Sequence, residues 1–532
     1  MNEWELTEMT SAELINNLQH PQRFDHPVTT FELIETHISW VLLTGPFAYK
    51  FRKPVDFGFL DFTTLEKRFD DCLHELRLNR RFSPALYHGL VKIIGTPQAP
   101  QRVNVDETEP LDPQALDYGV QMRQFEQPQL LSELELKQQL PEAELLHLAT
   151  ELAGIHARAP ADPPDPSLGS VETVRYVMQQ NFDQCRPYLE LLESDEPDLL
   201  QLLNRVEQQY LQRFAAQQDL LQRRQDQGLI RECHGDLHLG NIALVDGRAC
   251  PFDCIEFNPR YRWLDPLNDL AFLLMDLQLR GHRQLSYRLL NRYLEQSPDY
   301  TGAGLLPLYM AYRSMVRAKV SLLGSGEPGL PLPPALRDDL LLHLQLAEQL
   351  LQPTPSAKRG RLVLMQGPSG SGKSWLSQQL LEQQPWLRLR SDRLRKQLHQ
   401  RQPELPRYGD SLNQATYRQL LKDGSSLMAQ GFDVIIDAAF LRADQRRPFI
   451  ELAGQHDWSV NILCCDTNAS RLAERIEIRQ SSQDPSEATV AVMEQQLQNR
   501  EPLSEEEAAV SIQIDTDRPE QVEACLRLLS RN

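Results

Sequence analysis

The pattern of apolar and polar positions near the N-terminus is typical of short β-strands. Residues 31–53 (FELIETHISWVLLTGPFAYKFRK) predict three strands, with turns near His37 and at 44–46. Gly and Pro in the second turn interrupt the apolar run and favour a reversal of the chain.

Beyond residue 60 the period of the pattern changes. A helix is expected from about 64 to 81, because its apolar residues recur on one face, at Leu65, Phe69, Leu73 and Leu76. Further strands are expected around 90–95 and 117–125. From residue 128 onward the pattern is mostly helical, so a small β-rich part precedes a larger helical part.

A Pro- and Gly-rich stretch then separates this first part from a second one. GSGEPGLPLPP (324–334) leads into an amphipathic helix, roughly 335–351, and then into QPTPSAKRG. A new apolar strand, RLVLMQ (361–366), follows directly, which is typical of a domain boundary. The expected organisation is a first domain, a linker with a helix, and a second domain, at 1–323, 324–357 and 358–532.

The composition is that of a globular protein with more than one domain. The chain has 532 residues, of which 41% are hydrophobic and 24% charged, and a net charge of −19. Residues 356–532 hold 23 basic and 24 acidic side chains, whereas residues 1–355 hold 32 basic and 50 acidic ones. Because tracking along phosphates needs a basic surface, a long nucleic-acid track is not expected on the first part, and the second part keeps that option open locally.

Membrane and secreted classes are not expected. No apolar run approaches the ~20 residues of a membrane span, and MNEWELTEMT lacks the positive start and apolar core of a signal peptide. Eight cysteines without a CxxC pair, in so long a chain, indicate reduced thiols rather than a disulfide framework or a zinc site. We therefore expect a cytoplasmic protein without a membrane partner.

HGDLHLGN (234–241) is the strongest motif of the first part. Asp236 and Asn241 are five residues apart, and Asp253 lies twelve beyond Asn241 in PFDCIEF (251–257), which looks like a strand. Phosphoryl transfer to a hydroxyl needs one carboxylate near the hydroxyl, and an amide oxygen with a second carboxylate to hold Mg²⁺ against the ATP phosphates. The alternative is an ordinary Asx turn followed by a carboxylate at the end of a strand.

Residues 30–320, with this spacing, resemble the two-lobed protein-kinase-like fold. The Gly after His, where protein kinases carry Arg, resembles the aminoglycoside phosphotransferase and choline kinase branch. The resemblance implies that Asp236 is the catalytic base and that Asn241 and Asp253 are Mg²⁺ ligands. It also implies that Asp269, in DPLNDLA, is a buried carboxylate that braces the catalytic loop.

Such a kinase needs a strand lysine for the ATP phosphates and a helix glutamate that holds the lysine. Lys50 in FAYKFRK and Glu75 in CLHELRLNR are the preferred pair, and Lys53 with Glu66 is the competing pair. There is no GxGxxG over the phosphates. The equivalent turn spans 35–39, where Thr and Ser hydroxyls and backbone N–H groups could contact phosphate.

GPSGSGKS is a full Walker A loop between the strand 361–366 and a helix that begins SWLSQQ. Its backbone N–H groups would surround the ATP phosphates, Lys373 would neutralise the β/γ-phosphates, and Ser374 would coordinate Mg²⁺. The expected ATP-binding residues are the whole loop: Gly367, Pro368, Ser369, Gly370, Ser371, Gly372, Lys373 and Ser374.

The residues after this helix resemble the P-loop kinases that include polynucleotide kinase, gluconate kinase and the zeta toxins. Asp392 lies nineteen residues past Lys373, and Arg395 lies three past Asp392. The resemblance implies that Asp392 approaches the acceptor hydroxyl and that Arg395 grips an anionic group of the acceptor. The alternative for Asp392 is a helix N-cap.

Three further residues complete the predicted second site. Asp437, near the end of the strand in DVIIDAAF, could bind Mg²⁺ through water or orient the acceptor. Arg475 and Arg479, four apart on one helical face, have the arrangement of lid arginines, and DPSEA (484–488) follows in an expected lid loop. A solvated helical face is the alternative for the two arginines.

Basic residues are concentrated between 388 and 407, where seven basic side chains accompany two acidic ones. This excess fits an anionic acceptor, such as a phosphorylated metabolite, a nucleotide or a nucleic-acid 5′ end. The alternative is again a solvated face.

The expected fold class is α/β and α+β: a two-lobed protein-kinase-like fold followed by a P-loop NTPase domain with a three-layer α/β/α parallel sheet. The combination resembles the bifunctional aminoglycoside phosphotransferase/ATP-binding protein family. It implies two kinases that use ATP and Mg²⁺, each with a hydroxyl acceptor on an anionic or polyol molecule, or on a nucleic-acid end for the C-terminal domain only. The alternatives are a regulatory protein in which one domain, in the first instance the N-terminal one, is an ATP-binding switch, and an ATPase.

Overall fold

The computed structural model divides into two compact units. It describes residues 3–56, 60–192, 197–352, 360–404, 406, 409–480 and 489–530. Unit 1 comprises residues 1–203, 211–276 and 312–340, and unit 2 comprises residues 204–210, 277–311 and 341–532. Each unit contains its own main sheet. The domain limits expected from the sequence stay a prediction.

A six-stranded antiparallel sheet forms the first part of unit 1. The elements are α1 (Glu3–Leu18), β1 (Glu32–Glu35), β2 (Ser39–Leu43), β3 (Phe47–Arg52), α2 (Leu65–Asn79), β4 (Tyr87–Thr96), β5 (Ala99–Val105) and β6 (Asp117–Arg123). The strand order is β1-β2-β3-β6-β4-β5. Leu90 of β4 packs with Phe69 and Leu76 of α2, and the next residue, Val91, packs with Leu14 of α1. The two helices therefore cover opposite faces of the sheet.

Helices dominate from residue 131 to residue 324. The elements are α3 (Leu131–Leu136), α4 (Glu142–Arg158), α5 (Val171–Glu190), α6 (Pro197–Asp226), β7 (Arg231–Glu232), β8 (Ile242–Val245), β9 (Arg248–Pro251), β10 (Trp263–Leu264), α7 (Pro266–Leu279), α8 (Arg283–Gln296) and α9 (Leu306–Gly324). Strands β8 and β9 form an antiparallel hairpin directly after the motif 234–241, and β7 pairs with β10. The expected order, a β-rich part before a helical part, is confirmed.

The rest of unit 2 alternates helices and parallel strands. The elements are α10 (Pro334–Leu351), β11 (Arg361–Gln366), α11 (Lys373–Gln383), β12 (Leu387–Arg390), α12 (Ser391–Arg401), α13 (Asp410–Ala429), β13 (Val434–Asp437), α14 (Ala443–Gln455), β14 (Ser459–Cys465), α15 (Ala469–Gln480), α16 (Val490–Gln498), α17 (Glu505–Ala509), β15 (Ser511–Ile514) and α18 (Pro519–Ser530). The five strands pair in the order β12-β13-β11-β14-β15. The boundary between the two units falls within α10: residues 334–340 are assigned to unit 1 and residues 341–351 to unit 2.

Helices cover both faces of the parallel sheet. Ile435 of β13 shares an apolar core with Leu380 of α11 and Val522 of α18. The next residue, Ile436, points to the opposite face because side chains alternate along a strand. There a Cβ on Gly424 of α13 would lie 3.2 Å from Ile436 Cδ1. The expected three-layer α/β/α arrangement is confirmed.

Among the helices of the described ranges, none combines the length and the apolar content that a membrane span requires.

Candidate functional sites

Unit 1 contains a cavity of about 580 Å³ lined by the antiparallel sheet, the segment 252–257, and helices α5 and α9. Four of the residues singled out in the sequence line this cavity: Lys50, Glu75, Asp236 and Asp253. They come from β3, α2 and the two segments that flank the hairpin β8–β9. The fold therefore brings together residues that are up to 203 positions apart.

Lys50 is held between two carboxylates. Its Nζ donates to Glu75 Oε1 at 2.9 Å and to Asp253 Oδ1 at 2.5 Å. In the competing pair, Lys53 Nζ instead donates to Glu35 Oε1 at 2.5 Å, and Glu66 is exposed. The geometry thus favours Lys50 with Glu75 over Lys53 with Glu66.

Arg52 is a buried cation that the sequence analysis did not single out. Its guanidinium donates to Asp71 Oδ2 at 2.5 Å, to Glu75 Oε2 at 2.8 Å, and to Glu256. Burial raises the pKa of Glu256 to about 8, although Arg52 acts in the opposite direction. The sequence did contain a signal for Arg52. In FAYKFRK it lies two residues after Lys50, and residues two apart on a strand point to the same face of the sheet.

The catalytic-loop candidates contact one another directly. Asn241 Nδ2 donates to Asp236 Oδ2 at 2.8 Å and to the Asp236 carbonyl at 3.0 Å. His238 Nε2 lies 3.5 Å from Asp236 Oδ2. Burial would raise the pKa of Asp236, but His238, His234 and Arg317 hold that pKa well below its ordinary value. The carboxylate of Asp236 is therefore ionised at neutral pH.

Asp269 braces this loop from α7. Its carboxylate is fully buried and accepts the backbone N–H groups of His234 at 3.1 Å and of Gly235 at 2.8 Å. His156, which the sequence analysis did not identify, lies with Nε2 3.1 Å from Asp269 Oδ2. Arg313, also not identified, donates to the Gly235 carbonyl at 2.7 Å. The backbone N–H and the carbonyl of Gly235 are thus both fixed by buried charged groups.

The strand expected at 251–257 is wrong, because β9 ends at Pro251. Asp253 adopts a left-handed conformation with φ +62°, which a continuing strand does not allow. Its backbone N–H donates to Tyr87 Oη at 3.1 Å, and the next N–H, from Cys254, donates to Asn79 Oδ1 at 2.9 Å. Side chains from the first part of unit 1 thus replace the strand partner, and the hairpin β8–β9 brings Asp253 towards Lys50.

The turn after β1 lines the same cavity but its hydroxyls are occupied. Thr36 Oγ1 accepts the N–H of Ser39 at 3.0 Å and donates to the Ser39 carbonyl at 3.1 Å. Ser39 Oγ accepts from Arg52 Nη1 at 2.8 Å. The hydroxyls that the sequence offered as possible phosphate contacts are therefore engaged within the protein.

The Walker A loop of unit 2 connects β11 to α11 and lines a second cavity of about 370 Å³. Lys373 Nζ donates to the Pro368 carbonyl at 2.7 Å. Gly372 is the N-cap of α11 with φ +88°, and a Cβ there would lie 2.5 Å from Thr516 Oγ1. Glycine is required at this position both by the backbone conformation and by the packing.

Asp392 and Arg395 lie on α12 and line this cavity. Asp392 is the second residue of α12 rather than its N-cap, and its Oδ1 accepts from Arg395 Nη1 at 3.0 Å. Arg395 Nη2 also lies 3.4 Å from Asn413 Oδ1. Strands β12 and β13 are parallel neighbours, so their carboxyl ends bring Asp392 and Asp437 to the same edge of the sheet.

Asp437 is buried at the end of β13 and lines the same cavity. Its Oδ2 has no hydrogen-bond partner among the described atoms and lies 3.4 Å from Arg390 Nε. An incompletely satisfied buried carboxylate is costly, which favours a further partner at this position.

Arg475 reaches the Walker A loop from α15. Its Nη1 donates to the Gly370 carbonyl at 3.1 Å and to Thr516 Oγ1 at 3.0 Å, and its Nη2 donates to Asp517 Oδ1 at 2.7 Å. The guanidinium is therefore fixed beside the loop rather than placed on a solvated face. The side chain of Arg479 and the expected lid loop 484–488 lie outside the described residues.

The basic segment 388–407 is not a uniform solvated face. Arg388 is buried, and of the other described basic side chains in this segment Arg401 is exposed, while the rest are partly buried. Gln496 of α16, which the sequence analysis did not identify, accepts the Ser369 N–H at 2.7 Å. No local pattern distinguishes this glutamine from its neighbours in EQQLQ.

Two family models match this chain. Residues 66–306 match a model described as phosphotransferase enzyme family, and residues 362–503 match a model described as AAA domain. An uncharacterized protein of Mycobacterium tuberculosis (strain ATCC 25618 / H37Rv) is 29% identical over 477 residues, which cover 88% of this chain and 90% of the relative.

Solved structures are similar to one or the other part of the chain. A gluconokinase from Sinorhizobium meliloti 1021 matches with 21% identity and a TM-score of 0.26, over 33% of this chain and 95% of that protein. A choline/ethanolamine kinase family protein from Mesorhizobium loti matches with 13% identity and a TM-score of 0.36, over 65% of this chain and 96% of that protein. The two family matches thus lie in different parts of the chain: residues 66–306 are similar to the phosphotransferase enzyme family, and residues 362–503 are similar to AAA domains.

Proposed function

We propose that each unit transfers the γ-phosphoryl group of ATP to a hydroxyl of its own acceptor. The convergence of Lys50, Glu75, Asp236 and Asp253 on one cavity supports this proposal most directly. The Walker A loop with Asp392, Asp437 and Arg475 around a second cavity supports it for unit 2. A cytoplasmic location, where ATP is abundant, is part of the proposal.

In unit 1, Asp236 is the proposed base. Its low pKa keeps the carboxylate ionised, so it can accept a hydrogen bond from the acceptor hydroxyl and orient the oxygen for attack. The new P–O bond forms as the bond to ADP breaks, and the hydroxyl proton passes to Asp236. Lys50, positioned by Glu75, neutralises charge on the ATP phosphates.

The residues of both sites fit Mg²⁺, which would neutralise phosphate charge when bound. In unit 1, the Asn241 amide nitrogen is committed to Asp236, which leaves the amide oxygen for a cation, together with Asp253. In unit 2, the buried Asp437 Oδ2 lacks a hydrogen-bond partner among the described atoms, and Ser374 lines the same cavity. Oxygen donors of this kind are the ligands that Mg²⁺ prefers.

In unit 2, Lys373 and Arg475 provide positive charge beside the Walker A loop, and Asp392 faces the same cavity. Arg395 and Arg442 line the cavity together with amide side chains, among them Gln445 and Asn499. This lining fits an anionic or polyol acceptor. A nucleic-acid end is the second acceptor class for this unit, and product analysis distinguishes the two.

A regulatory role for unit 1, with ATP bound but not used, is the second candidate function. It is favoured by the turn at 36–38, which lacks a glycine-rich loop and whose Thr36 hydroxyl is engaged within the turn. An ATPase is the third possibility, and acceptor-independent release of phosphate would identify it.

The test uses the full chain with Asp236→Asn or Lys373→Ala, and exposed controls Asp106→Asn and Lys422→Ala. Each protein is incubated with γ-labelled ATP, Mg²⁺ and a cell extract that contains metabolites and RNA and DNA ends. We expect one set of labelled products to disappear with Asp236→Asn and a different set with Lys373→Ala, while both controls retain all products. Label found only in free phosphate or on the protein itself would contradict the proposal.

A further inference from the structure

The wall that α5 and α9 contribute to the unit 1 cavity indicates the class of acceptor. Helix α5 contributes Gln180 and Gln184, and α9 contributes Val316, Lys319, Val320 and Leu323. We call these six residues the α5–α9 wall. Tyr312, one turn before Val316 on α9, lines the cavity together with Asp236. The wall is therefore part of the space that adjoins the proposed base.

The α5–α9 wall carries a cation and no carboxylate. Among the described residues, no Asp or Glu of α5 or α9 lines the cavity. The acidic residues that do line it are Glu75, Asp236, Asp253 and Glu256. Three of these four are bound to Lys50 or Arg52, and the fourth is the proposed base. A cationic acceptor would therefore find no free carboxylate on the wall.

Lys319 is the charged group of the wall. Its ammonium group has neither a hydrogen-bond nor a carboxylate partner in the described part of the chain, and burial lowers its pKa. Cys185 is the neighbouring titratable group on α5. A partly buried ammonium group without a counter-ion favours an anionic ligand, because pairing recovers some of the lost solvation.

The remaining wall residues are apolar or carry amides. Val320 is 47% exposed and Leu323 is 46% exposed, although both line the cavity. Exposed apolar side chains at a cavity mark a surface that an apolar part of a ligand can cover. Gln180 is already engaged, since its Oε1 accepts from Tyr261 Oη at 2.9 Å.

From this charge pattern we propose that the acceptor of unit 1 is an alcohol that carries an anionic group and a hydrocarbon segment, with Lys319 as the residue that binds the anionic group. The polycationic acceptors implied by a likeness to aminoglycoside phosphotransferases are excluded by this assignment. The inference rests on the phosphotransferase activity proposed for unit 1 and names the acceptor class of that same site.

The test uses three probes of equal chain length: 10-hydroxydecanoate, 10-aminodecan-1-ol and decane-1,10-diol. The full chain with Lys373→Ala removes the contribution of unit 2, and turnover that survives Asp236→Asn is subtracted. ADP formation and binding in the presence of MgADP are measured for each probe. We expect kcat/KM for the carboxylate to exceed that for the amine by about tenfold or more, as pairing with one partly buried charge allows.

Variants of Lys319 locate the effect. Lys319→Met should raise KM for the carboxylate probe and so remove the preference for this probe. Lys319→Glu should make the amine the preferred probe, and Lys319→Arg should retain the preference for the carboxylate. Lys137→Met, at an exposed position outside the cavity, is the matched control and should retain the preference. If Lys319→Met does not fold, the comparison of Lys319→Arg with Lys319→Glu still decides the role of the charge.

Equal use of the three probes, a preference for the amine, or binding of none of them overturns the assignment of the acceptor class. The proposed function fails separately, if no labelled product in the extract experiment depends on Asp236. Products that depend on Asp236, together with a preference for the amine, would leave the phosphotransferase proposal intact and overturn only the acceptor class.

Discussion

Arg388 Nη2 donates to Glu295 Oε1 at 2.7 Å, and the side chains are only 5% and 2% exposed. Arg388 lies on β12, the edge strand of the parallel sheet, and Glu295 lies on α8. Asn291 of the same helix donates to the Trp386 carbonyl at 2.8 Å and accepts the Arg388 N–H at 2.8 Å. The Asn291 side chain thus pairs with backbone groups at the open edge of the sheet, which would otherwise lack hydrogen-bond partners.

Removing Glu295 leaves the Arg388 guanidinium buried without its carboxylate. We expect Glu295→Ala to lower the free energy of unfolding of unit 2 by about 3–5 kcal/mol, the usual result of removing one partner of a buried pair. Urea unfolding of the full chain measures the change. Glu451→Ala, which removes the partner of exposed Arg447, is the matched control and should have a much smaller effect. Equal effects of the two substitutions would contradict the structural role of the pair.

The contacts of α8 also predict how fragments behave. A fragment 358–532 lacks α8, so the buried Arg388 loses the carboxylate of Glu295 and the Trp386 carbonyl loses the Asn291 amide. A fragment 277–532 retains them. We expect the longer fragment to have the higher melting temperature in a calorimetric comparison at equal concentration. Identical melting temperatures would show that α8 does not contribute to the stability of the P-loop part.

Asp269 should make unit 1 sensitive to acid. Burial acts to raise its pKa, but the hydrogen bond with His156 and nearby positive charge lower the pKa from 3.8 to about 2. Because the folded-state pKa is below the unfolded one, the contribution to stability, about 2 kcal/mol, is present above pH 4 and is lost as the pH falls from about 4 to about 2.

The corresponding variant is Asp269→Asn. We expect the difference in unfolding free energy between the wild-type chain and this variant to shrink between pH 4 and pH 2, measured by urea unfolding at the transition of unit 1. A difference that stays constant over this range would show that the charge of Asp269 does not stabilise the loop.

Gly372 should be intolerant of any side chain. With φ +88° and a Cβ that would lie 2.5 Å from Thr516 Oγ1, Gly372→Ala strains the start of α11 and displaces the Walker A loop. We expect ATP affinity of unit 2 to fall by about tenfold or more, which corresponds to the strain of one left-handed residue. The measurement is calorimetric titration with MgATP in a Lys50→Met background, which removes the cation proposed to contact the ATP phosphates in unit 1.

Gly454→Ala is the control for this substitution. Gly454 lies in α14 with no atom within 4 Å of an added Cβ, so alanine fits there and favours the helix. This variant should keep its ATP affinity. A similar loss of affinity in both variants would mean that the Gly372 effect is not specific to the Walker A loop.

Much of the secondary structure was predictable from the sequence, and the strand that was predicted wrongly failed because of contacts with residues distant along the chain. The three strands within 31–53 and the strand before the Walker A loop follow their apolar patterns closely. The strand expected at 251–257 failed because Tyr87 and Asn79 take the hydrogen bonds of Asp253 and Cys254. Such partners are distant in sequence, and the local pattern contains no information about them.

The sequence by itself predicted the two motifs on which the proposed function rests, because both motifs are local. The eight residues of the Walker A loop and the HGD segment specify their own backbone geometry through glycines and short-range contacts. Only the tertiary structure decided that Lys50 rather than Lys53 meets Glu75, that Arg52 shares the same carboxylate, and that α8 belongs to unit 2. These relationships depend on which elements pack together, and packing joins residues that are remote along the chain.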